Sequence, residues 1–526
     1  MKKIKNKKLI VGIVAIILLI AIVSTVVIHN INTNNQLKEN QYLQGENANS
    51  SLIANNIKKG ITIGGITGTL ESLDTSDANA RPEDILEGKT AYVNGVKITG
   101  TWKEPVEFST NYGRIEVIWI DQQNKVIEKP LSPESSLQGM TPVKWNGTTE
   151  SIAKADNSDG WYNYVSGTGT EDNLNSHWAN AKDSKGSYFV WVPRYAYRIV
   201  YYADKNSDVE TGYYDGRGMV NNQGVLQNNL KLEEGIETVE YEGKSYIVHP
   251  AFETNVDLGG WSGDLAGIWV GKYETSGSES DMKIVPNADT ITRQTVGIFY
   301  NYGYNYDRTK ESHLMKNSEW GAVAYLTHSQ YGRNGNEIYI NNDYNITGNS
   351  GGSTNAGPSG TKYAYNTEEG QKASSTGNIY GIYDLSGGCY EYVAAYDNKG
   401  GSELSYGNTF ASKDGKSTKY ATAYTNGTYT NLGEKIYEIG KTGDATKEVY
   451  LGSSSRNWND DYSYILYSSA PFFTRGSGYD GGSGAGVFYS GAHSGEGYAG
   501  HSFRIVLGGV EIWVYGLMNF FSKTIH

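Results

Sequence analysis

Hydrophobic and polar residues alternate in short runs over most of the chain, but one long apolar run stands apart near the N-terminus. That run covers residues 9–28 and is interrupted only by Gly12, Ser24 and Thr25. A helix rises about 1.5 Å per residue, so about 20 residues cover the roughly 30 Å hydrocarbon core of a bilayer. The pattern therefore predicts a transmembrane anchor at 9–28.

Five lysines and no acidic residue precede this run, in residues 1–8. Because the Lys/Arg bias of its flanks orients a first helix, this basic tail is expected in the cytoplasm and the bulk of the chain outside the cell. The predicted localisation is a single-pass cell-membrane protein, with the lipid bilayer as partner of residues 9–28. The alternative is a cleaved signal peptide, although its apolar stretch is usually only about 7 to 15 residues.

The next two segments are polar and then repetitive. Residues 29–56 are Asn-rich and predict a flexible stalk. Residues 57–70 and 85–102 both contain Ile-Thr-Gly-Thr after a glycine-bearing turn, at Gly64-Gly65 and Asn94-Gly95. Because Asn-Gly supplies the positive φ of a type I′ turn, two β-hairpins are predicted within residues 57–103. These units resemble short repeats of tail-fibre and surface proteins of Gram-positive bacteria and their phages.

The rest of the chain has the pattern of strands and turns. Residues 104–186 predict a connecting region rich in loops, with strands such as 115–120. From 187 to 507 short strands and glycine turns predominate, and one segment, 318–331, has a helical pattern. The predicted fold class is α+β, mostly β. Residues 508–526 form an apolar tail, too short to span a membrane, whose role the sequence leaves open.

The composition limits which kinds of molecule the chain can bind and how its fold is stabilised. The chain has 526 residues, a net charge of −12 and only 19% charged residues, so no surface for tracking nucleic-acid phosphates is expected. Cys389 is the single cysteine and cannot form an internal disulfide. The folded part must be stabilised by its own core.

Five motifs in the second half occur in a family's order. They are residues 267–276 (GIWVGKYETS), 316–326 (KNSEWGAVAYL), 378–393 (NIYGIYDLSGGCYEYV), 475–477 (RGS) and 502–504 (SFR). Together they resemble the formylglycine-generating enzyme, or sulfatase-modifying factor, family. The resemblance implies a C-type lectin-like fold over 187–507. Glu319, Glu391, Arg475 and Arg504 are interpreted as partly buried ion pairs linking the motifs.

The catalytic chemistry of that family does not carry over. Active members use two cysteines between the closing Arg-Gly-Gly-Ser and Gly-Phe-Arg elements, and this chain has none there. Cys389 falls on an apolar position of the third motif, so it is interpreted as a small buried hydrophobe. The sequence also lacks HExxH and GxxxxGK motifs. No catalytic residue is predicted.

One pattern approximates a calcium loop. Asp204, Asn206 and Asp208, with Asp215 at the twelfth position, have the ligand spacing of such a loop, but Val209 replaces the glycine of its sharp turn. A solvated acidic loop is the favoured interpretation. Calcium stays open as a cofactor, because the resemblance implies structural calcium.

The segment 477–502 is rich in glycine, serine and aromatic residues. Tyrosine offers a large contact area with few rotamers to freeze, and Gly/Ser loops adapt, as in antibody paratopes. In retroelement-variable surface and tail-tip proteins, which the order of motifs also resembles, this segment faces the ligand. The predicted ligand-binding residues are Tyr479, Asp480, Phe488, Tyr489, His493, Glu496, Tyr498 and His501.

Three functions follow as hypotheses. The leading one is a membrane-anchored extracellular protein that recognises a protein or carbohydrate ligand without catalysis. The second is an enzyme with an unrecognised active site, which would need perturbed carboxylates or histidines in one deep pocket. The third is a phage tail or fibre-type receptor-binding protein.

Overall fold

The computed structural model describes residues 53–71, 75–85, 89–100, 112–168, 172–203, 210–214, 218–221, 225–227, 233–429, 431–451 and 455–509. By compactness the chain divides into two units, Met1–Glu104 and Pro105–His526. The predicted basic tail, the apolar run 9–28, most of the stalk 29–56 and nearly all of the tail 508–526 lie outside the described residues.

Membrane association was predicted from the apolar run. In the described ranges, no helix is long and apolar enough to cross a membrane. The longest there, Asn317–His328, has 12 residues and a length of about 18 Å, well short of the roughly 30 Å required. The predicted single-pass localisation conflicts with this finding and is not retained.

The first unit contains two small hairpins. Strands β1 (Thr62–Ile63) and β2 (Ile66–Thr67) pair antiparallel, as do β3 (Thr90–Val93) and β4 (Val96–Thr99). Positive φ at both central residues of each turn, including 51° at Asn94 and 77° at Gly95, matches a type I′ geometry. Two 3-10 turns, Ala54–Asn56 and Pro82–Asp84, accompany them.

The second unit is mostly β with few helices in its described part, as the sequence predicts. In chain order its strands are β5 (Gly113–Trp119), β6 (Thr141–Asn146), β7 (Thr149–Ile152), β8 (Asn180–Lys182), β9 (Tyr188–Pro193), β10 (Tyr195–Tyr202), β11 (Glu210–Tyr214), β12 (Met219–Asn221), β13 (Leu226–Gln227), β14 (Thr238–Tyr241), β15 (Lys244–Val248), β16 (Gly267–Gly271), β17 (Ser276–Ser278), β18 (Asp281–Lys283), β19 (His313–Leu314), β20 (Asn349–Ser350), β21 (Tyr363–Ala364), β22 (Tyr390–Asp397), β23 (Thr422–Tyr424), β24 (Phe472–Gly476), β25 (Gly486–His493), β26 (His501–Phe503) and β27 (Ile505–Gly508).

Helices connect these strands. The α-helices are α1 (Val296–Asn305), α2 (Asn317–His328), α3 (Glu368–Gln371) and α4 (Leu432–Ile439), and the 3-10 turns are Glu134–Ser136, Pro250–Phe252, Arg308–Lys310, Ser402–Gly407, Trp458–Asp460 and Gly482–Gly484.

Three sheets organise the second unit. The N-terminal sheet has the order β13-β12-β11-β10-β15-β14, with β5 also paired to β10. The middle sheet runs β19-β27-β16-β9-β8-β6-β7. The C-terminal sheet runs β23-β22-β24-β25, with β26 paired to β22. The region predicted as a connection, 104–186, thus supplies β5, β6, β7 and β8 to two of these sheets, since β5 pairs with β10 and β8 pairs with β9.

Helix α2 is the centre of the core. All its residues are buried, and it packs against β5, β9, β22 and β25, so it contacts all three sheets. At its N-terminus the Glu319 carboxylate accepts a hydrogen bond from the Lys316 backbone N–H at 2.8 Å. Such a bond satisfies one of the donors that a helix start leaves open.

Helices α1 and α4 were not predicted from the sequence. Helix α1 has the sequence VGIFYNYGYN, in which glycines and aromatics have low helix propensity. Its N-cap Thr295 accepts from the Ile298 N–H, and Phe299 packs on Phe503 with ring centroids 4.7 Å apart. Tertiary packing, rather than local propensity, therefore stabilises this helix.

Candidate ligand-binding face

The two faces of the C-terminal sheet have different chemistry. Successive side chains of a strand point to opposite faces. The register places Glu391 opposite Arg475 and Tyr392 opposite Thr474 between β22 and β24. Strand β26 runs parallel to β22, with Tyr390 opposite His501. One face therefore carries charged residues and the other carries tyrosine and histidine rings.

The charged face is buried against the rest of the unit. Arg504 donates from Nε to Glu391 Oε2 at 3.0 Å, from Nη1 to the Gly271 carbonyl at 2.8 Å and from Nη2 to the Tyr383 carbonyl at 3.0 Å. Burial raises the pKa of Glu391 to about 7, although Arg504 acts to lower it. This pair joins three separate chain segments behind the sheet.

The other predicted charged residues have different partners. Glu319 bonds to the imidazole of His313 at 2.9 Å and lies 3.5 Å from Lys316 Nζ. Arg475 donates to the carbonyl oxygens of Asp444 and Ala445, at 3.3 and 3.1 Å. These buried contacts stabilise the side of the sheet that lies opposite the tyrosine and histidine rings.

That opposite face gathers a cluster of rings, which we call the aromatic face. It consists of Tyr390, Tyr392, Tyr489, His493, Tyr498 and His501. His501 is in the middle, with ring centroids 5.2 Å from Tyr390, 5.1 Å from Tyr392 and 4.2 Å from His493. Tyr498 lies 5.3 Å from His493 and Tyr489 lies 5.8 Å from Tyr390. Residues as distant in the sequence as Tyr390 and His501 thus meet in one cluster. Tyr392, Tyr489 and His501 are buried in it, so Tyr390, His493 and Tyr498 form its accessible part.

A second aromatic pair extends this surface. Tyr344 and Tyr479 meet edge to face, with centroids 5.0 Å apart. The Tyr479 N–H donates to the Gly388 carbonyl at 2.8 Å, which fixes Tyr479 beside the start of β22. A Cβ on the adjacent Gly478 would lie 2.7 Å from the Tyr390 ring, so glycine permits the close approach of this loop.

Polar groups of the face are uncharged or anchored. Burial, and to a smaller extent the neighbouring His493, lowers the pKa of His501 to about 3. Burial also lowers the pKa of His493, against the opposing effect of Glu496. The Tyr392 hydroxyl bonds to His493 Nδ1 and to the Glu496 carbonyl oxygen, the latter at 3.0 Å. At neutral pH both histidine rings of the cluster are therefore uncharged.

The eight predicted ligand-binding residues do not all reach this surface. Tyr498 and Asp480 are exposed, and Tyr479, His493 and Glu496 are half-buried. Tyr489 and His501 are buried but belong to the ring cluster. Phe488 has no exposure and packs on His328, at 5.2 Å, on the charged side of the sheet. It lies in the core, so it is not part of the aromatic face.

Some members of the face were not predicted. Tyr390 and Tyr392 lie in the third motif, 378–393, and Tyr344 lies outside all five motifs. The strand alternation in 390–393 could have separated Tyr390 and Tyr392 from Glu391. No local pattern relates Tyr344 to Tyr479, because their contact depends on the tertiary fold.

Groups that could support catalysis include buried carboxylates with raised pKa values, such as Glu274, Asp384 and Glu391. Cys389 is fully buried, and burial together with Glu274 holds its thiol pKa well above the ordinary value. Within the described ranges no group of three or more His, Cys, Asp or Glu side chains is arranged to hold a metal ion. The weak calcium motif, Asp204, Asn206, Asp208 and Asp215, lies outside those ranges.

One buried carboxylate lines a cavity. Burial raises the pKa of Glu448 to about 7. Its oxygens accept from the hydroxyls of Tyr197 and Tyr325, each at 2.6 Å, and from the Gly443 N–H at 2.9 Å. Because both oxygens are occupied, this carboxylate has a structural role.

Comparisons with known proteins add little. No protein-family model matches the chain, and no curated protein sequence matches it either. Among solved structures, Major Tropism Determinant I1 Variant is 11% identical over 81% of each chain, with a TM-score of 0.25. The U1 Variant is 12% identical over the same shares, with a TM-score of 0.24. These scores are too low to establish a shared fold or function. None of the comparisons supports the resemblance to the formylglycine-generating enzyme family, which stays a prediction from the sequence motifs.

Proposed function

We propose that the second unit is a non-catalytic receptor-binding module, of the kind found at the tips of fibre proteins, which recognises its ligand through the aromatic face. The observation that carries this proposal is the assembly of six rings from three strands and one loop on a single side of the C-terminal sheet. Tyrosine-rich surfaces bind other molecules well, because each ring gives a large contact area at low entropic cost.

The contacts behind the sheet are part of the proposal, because they hold the rings in place. Binding surfaces gain affinity when their side chains are held in place before the ligand arrives. The Arg504–Glu391 pair ties β22 to the chain around Gly271 and Tyr383. The His493–Tyr392–Glu496 contacts fix the loop that carries Tyr498. The aromatic face is therefore pre-organised.

A C-type lectin-like arrangement of this unit is part of the proposal. Strand β16, from the first motif, pairs antiparallel with β27, which directly follows the closing motif. Arg504, in the closing motif, contacts both Gly271 and Tyr383 from earlier motifs. The motifs of the resembled family thus meet in space, as one fold built from them would require.

Absence of catalysis is also proposed. The buried thiol of Cys389 and the fully occupied carboxylate of Glu448 support it, since neither can reach a substrate atom in this arrangement. A catalytic base must lie within hydrogen-bond reach of the proton that it removes.

The test is binding of the full chain to a glycan array and to a panel of intact bacterial cells. Tyr498→Ala removes a ring that is 53% exposed, so little stability should be lost. If the aromatic face is a binding hot spot, this variant should bind about tenfold or more weakly. Tyr467→Ala is the matched control, because Tyr467 is 46% exposed and is not one of the rings of the aromatic face.

Either of two results would contradict the proposal. In one, the folded wild-type chain binds no glycan and no cell. In the other, it binds, but Tyr498→Ala and Tyr479→Ala both bind as tightly as wild type.

A further inference from the structure

A separate cavity in the second unit has walls of aromatic rings. Its volume is about 390 Å³, and it lies between the end of β10, helix α4 and the turn Trp458–Asp460. The rings around it are Tyr112, Tyr201, Tyr202, Tyr437, Tyr450 and Trp458. None of them belongs to the aromatic face. The volume is within the range of about 300 to 1,000 Å³ that is usual for small-molecule sites.

Charged groups at this cavity are engaged by the protein itself. Lys447 Nζ lies 2.5 Å from Glu233 Oε1. The Glu448 carboxylate is occupied by two tyrosine hydroxyls and one N–H. Arg456 donates to the Asp460 carbonyl at 2.6 Å, and its guanidinium lies over the Tyr462 ring. The cavity therefore offers a ligand little unpaired charge.

Two tyrosine hydroxyls at the cavity differ from these charged groups in their contacts. Tyr437 and Tyr450 meet edge to face with centroids 5.7 Å apart. In the described part of the chain, neither hydroxyl has a hydrogen-bond partner within the protein, and neither is among the buried atoms left without one. Solvent or a ligand can therefore reach both. A ligand that fills the cavity would bury these two hydroxyls, and buried polar groups normally have a hydrogen-bond partner. A ligand that carries hydroxyls of its own can supply those partners.

We propose that this cavity is a second binding site, which takes a neutral saccharide of one or two residues. The apolar faces of sugar rings can pack on the tyrosine and tryptophan rings, while sugar hydroxyls exchange hydrogen bonds with Tyr437 and Tyr450. A charged ligand would lack a counter-charge, because the nearby charged side chains already contact other groups of the protein. An extended peptide would need partners for its backbone, which the two hydroxyls alone do not provide.

The experiment is calorimetric titration of the full chain with cellobiose, maltose, lactose and N,N′-diacetylchitobiose. At least one of these should bind at millimolar concentration or below. Tyr437→Phe removes only the hydroxyl and should weaken that binding roughly two- to tenfold, which is the range for one lost hydrogen bond. Tyr437→Ala also removes the ring and should weaken it further.

The control separates the two sites. Tyr498→Ala, on the aromatic face, should leave saccharide binding unchanged. If Tyr498→Ala abolishes saccharide binding and Tyr437→Ala does not, the sugar binds at the aromatic face, and this proposal is wrong while the proposed function stands. No binding of any of the four sugars at about 10 mM by a chain with a normal thermal transition also overturns it. Tighter binding of an anionic disaccharide or a proline-rich peptide at Tyr437 would do the same.

Discussion

Histidines 493 and 501 illustrate how burial sets the chemistry of single residues at the aromatic face. Both rings are packed among tyrosines. Burial lowers the pKa of His493, and the nearby Glu496 acts to raise it. Desolvation disfavours the charged form of an imidazole. Sequence spacing could place these histidines in the segment 477–502, but it could not show that they touch each other and remain neutral.

A pH titration checks this. Because the pKa of His501 is about 3 in the folded chain and about 6.5 when unfolded, His501 stabilises the fold at pH values above 6.5. That contribution is lost as the pH falls from 6.5 toward 3. In NMR spectra the His501 imidazole signal should not shift between pH 8 and 5, whereas in urea-unfolded chain it should titrate near 6.5. A folded-state titration near 6.5 would contradict the prediction.

At the scale of elements, strand alternation explains why Phe488 lies apart from the aromatic face. Phe488 and Tyr489 are neighbours on β25, so they cannot both point to the same side of the sheet. The sequence shows this alternation once β25 is known to be a strand. It does not show that helix α2 packs on the side of Phe488, because that contact depends on the tertiary fold.

Close packing of α2 predicts an unusual mutational effect. Alanine normally stabilises a helix relative to glycine by about 1 kcal/mol. At Gly321, however, a Cβ would lie 1.8 Å from the Gly443 carbonyl oxygen. We expect Gly321→Ala to lower the free energy of unfolding by about 2 kcal/mol or more, measured by urea denaturation.

Helix α4 supplies the matched control. A Cβ on its Gly433 would meet no atom closer than 3.3 Å, so Gly433→Ala should change the free energy of unfolding by no more than about 1 kcal/mol. Equal effects of the two substitutions would show that α2 is not held against Gly443 as described.

The distribution of the core is the main feature at the scale of the whole molecule. Within the described ranges, the three clusters of buried apolar side chains consist of residues from 112 onward. The predicted boundary at 186 was placed where the density of strands increases, yet the partners of β5 and β8 lie beyond it. By compactness the chain divides between Glu104 and Pro105.

A fragment of residues 105–526 should therefore fold without the first unit. Its thermal transition, followed by circular dichroism, is expected within about 3 °C of that of the full chain, because every core cluster is retained. A fragment of residues 187–526 is the comparison and should not melt cooperatively, since it lacks β5, β6 and β8. A fragment 105–526 without a cooperative transition would contradict the division into units.

The sequence by itself determined the β-rich class, through its short alternating runs and glycine turns, and the turn geometry at Asn94-Gly95, through local φ preferences. It also placed the aromatic residues of 477–502 in one segment. Only the tertiary structure decided that Tyr390 and Tyr392 join His501, that Phe488 turns inward, and that helices α1 and α4 form. Local patterns act over a few residues, whereas these outcomes depend on contacts between residues far apart in the sequence and on which surfaces exclude water.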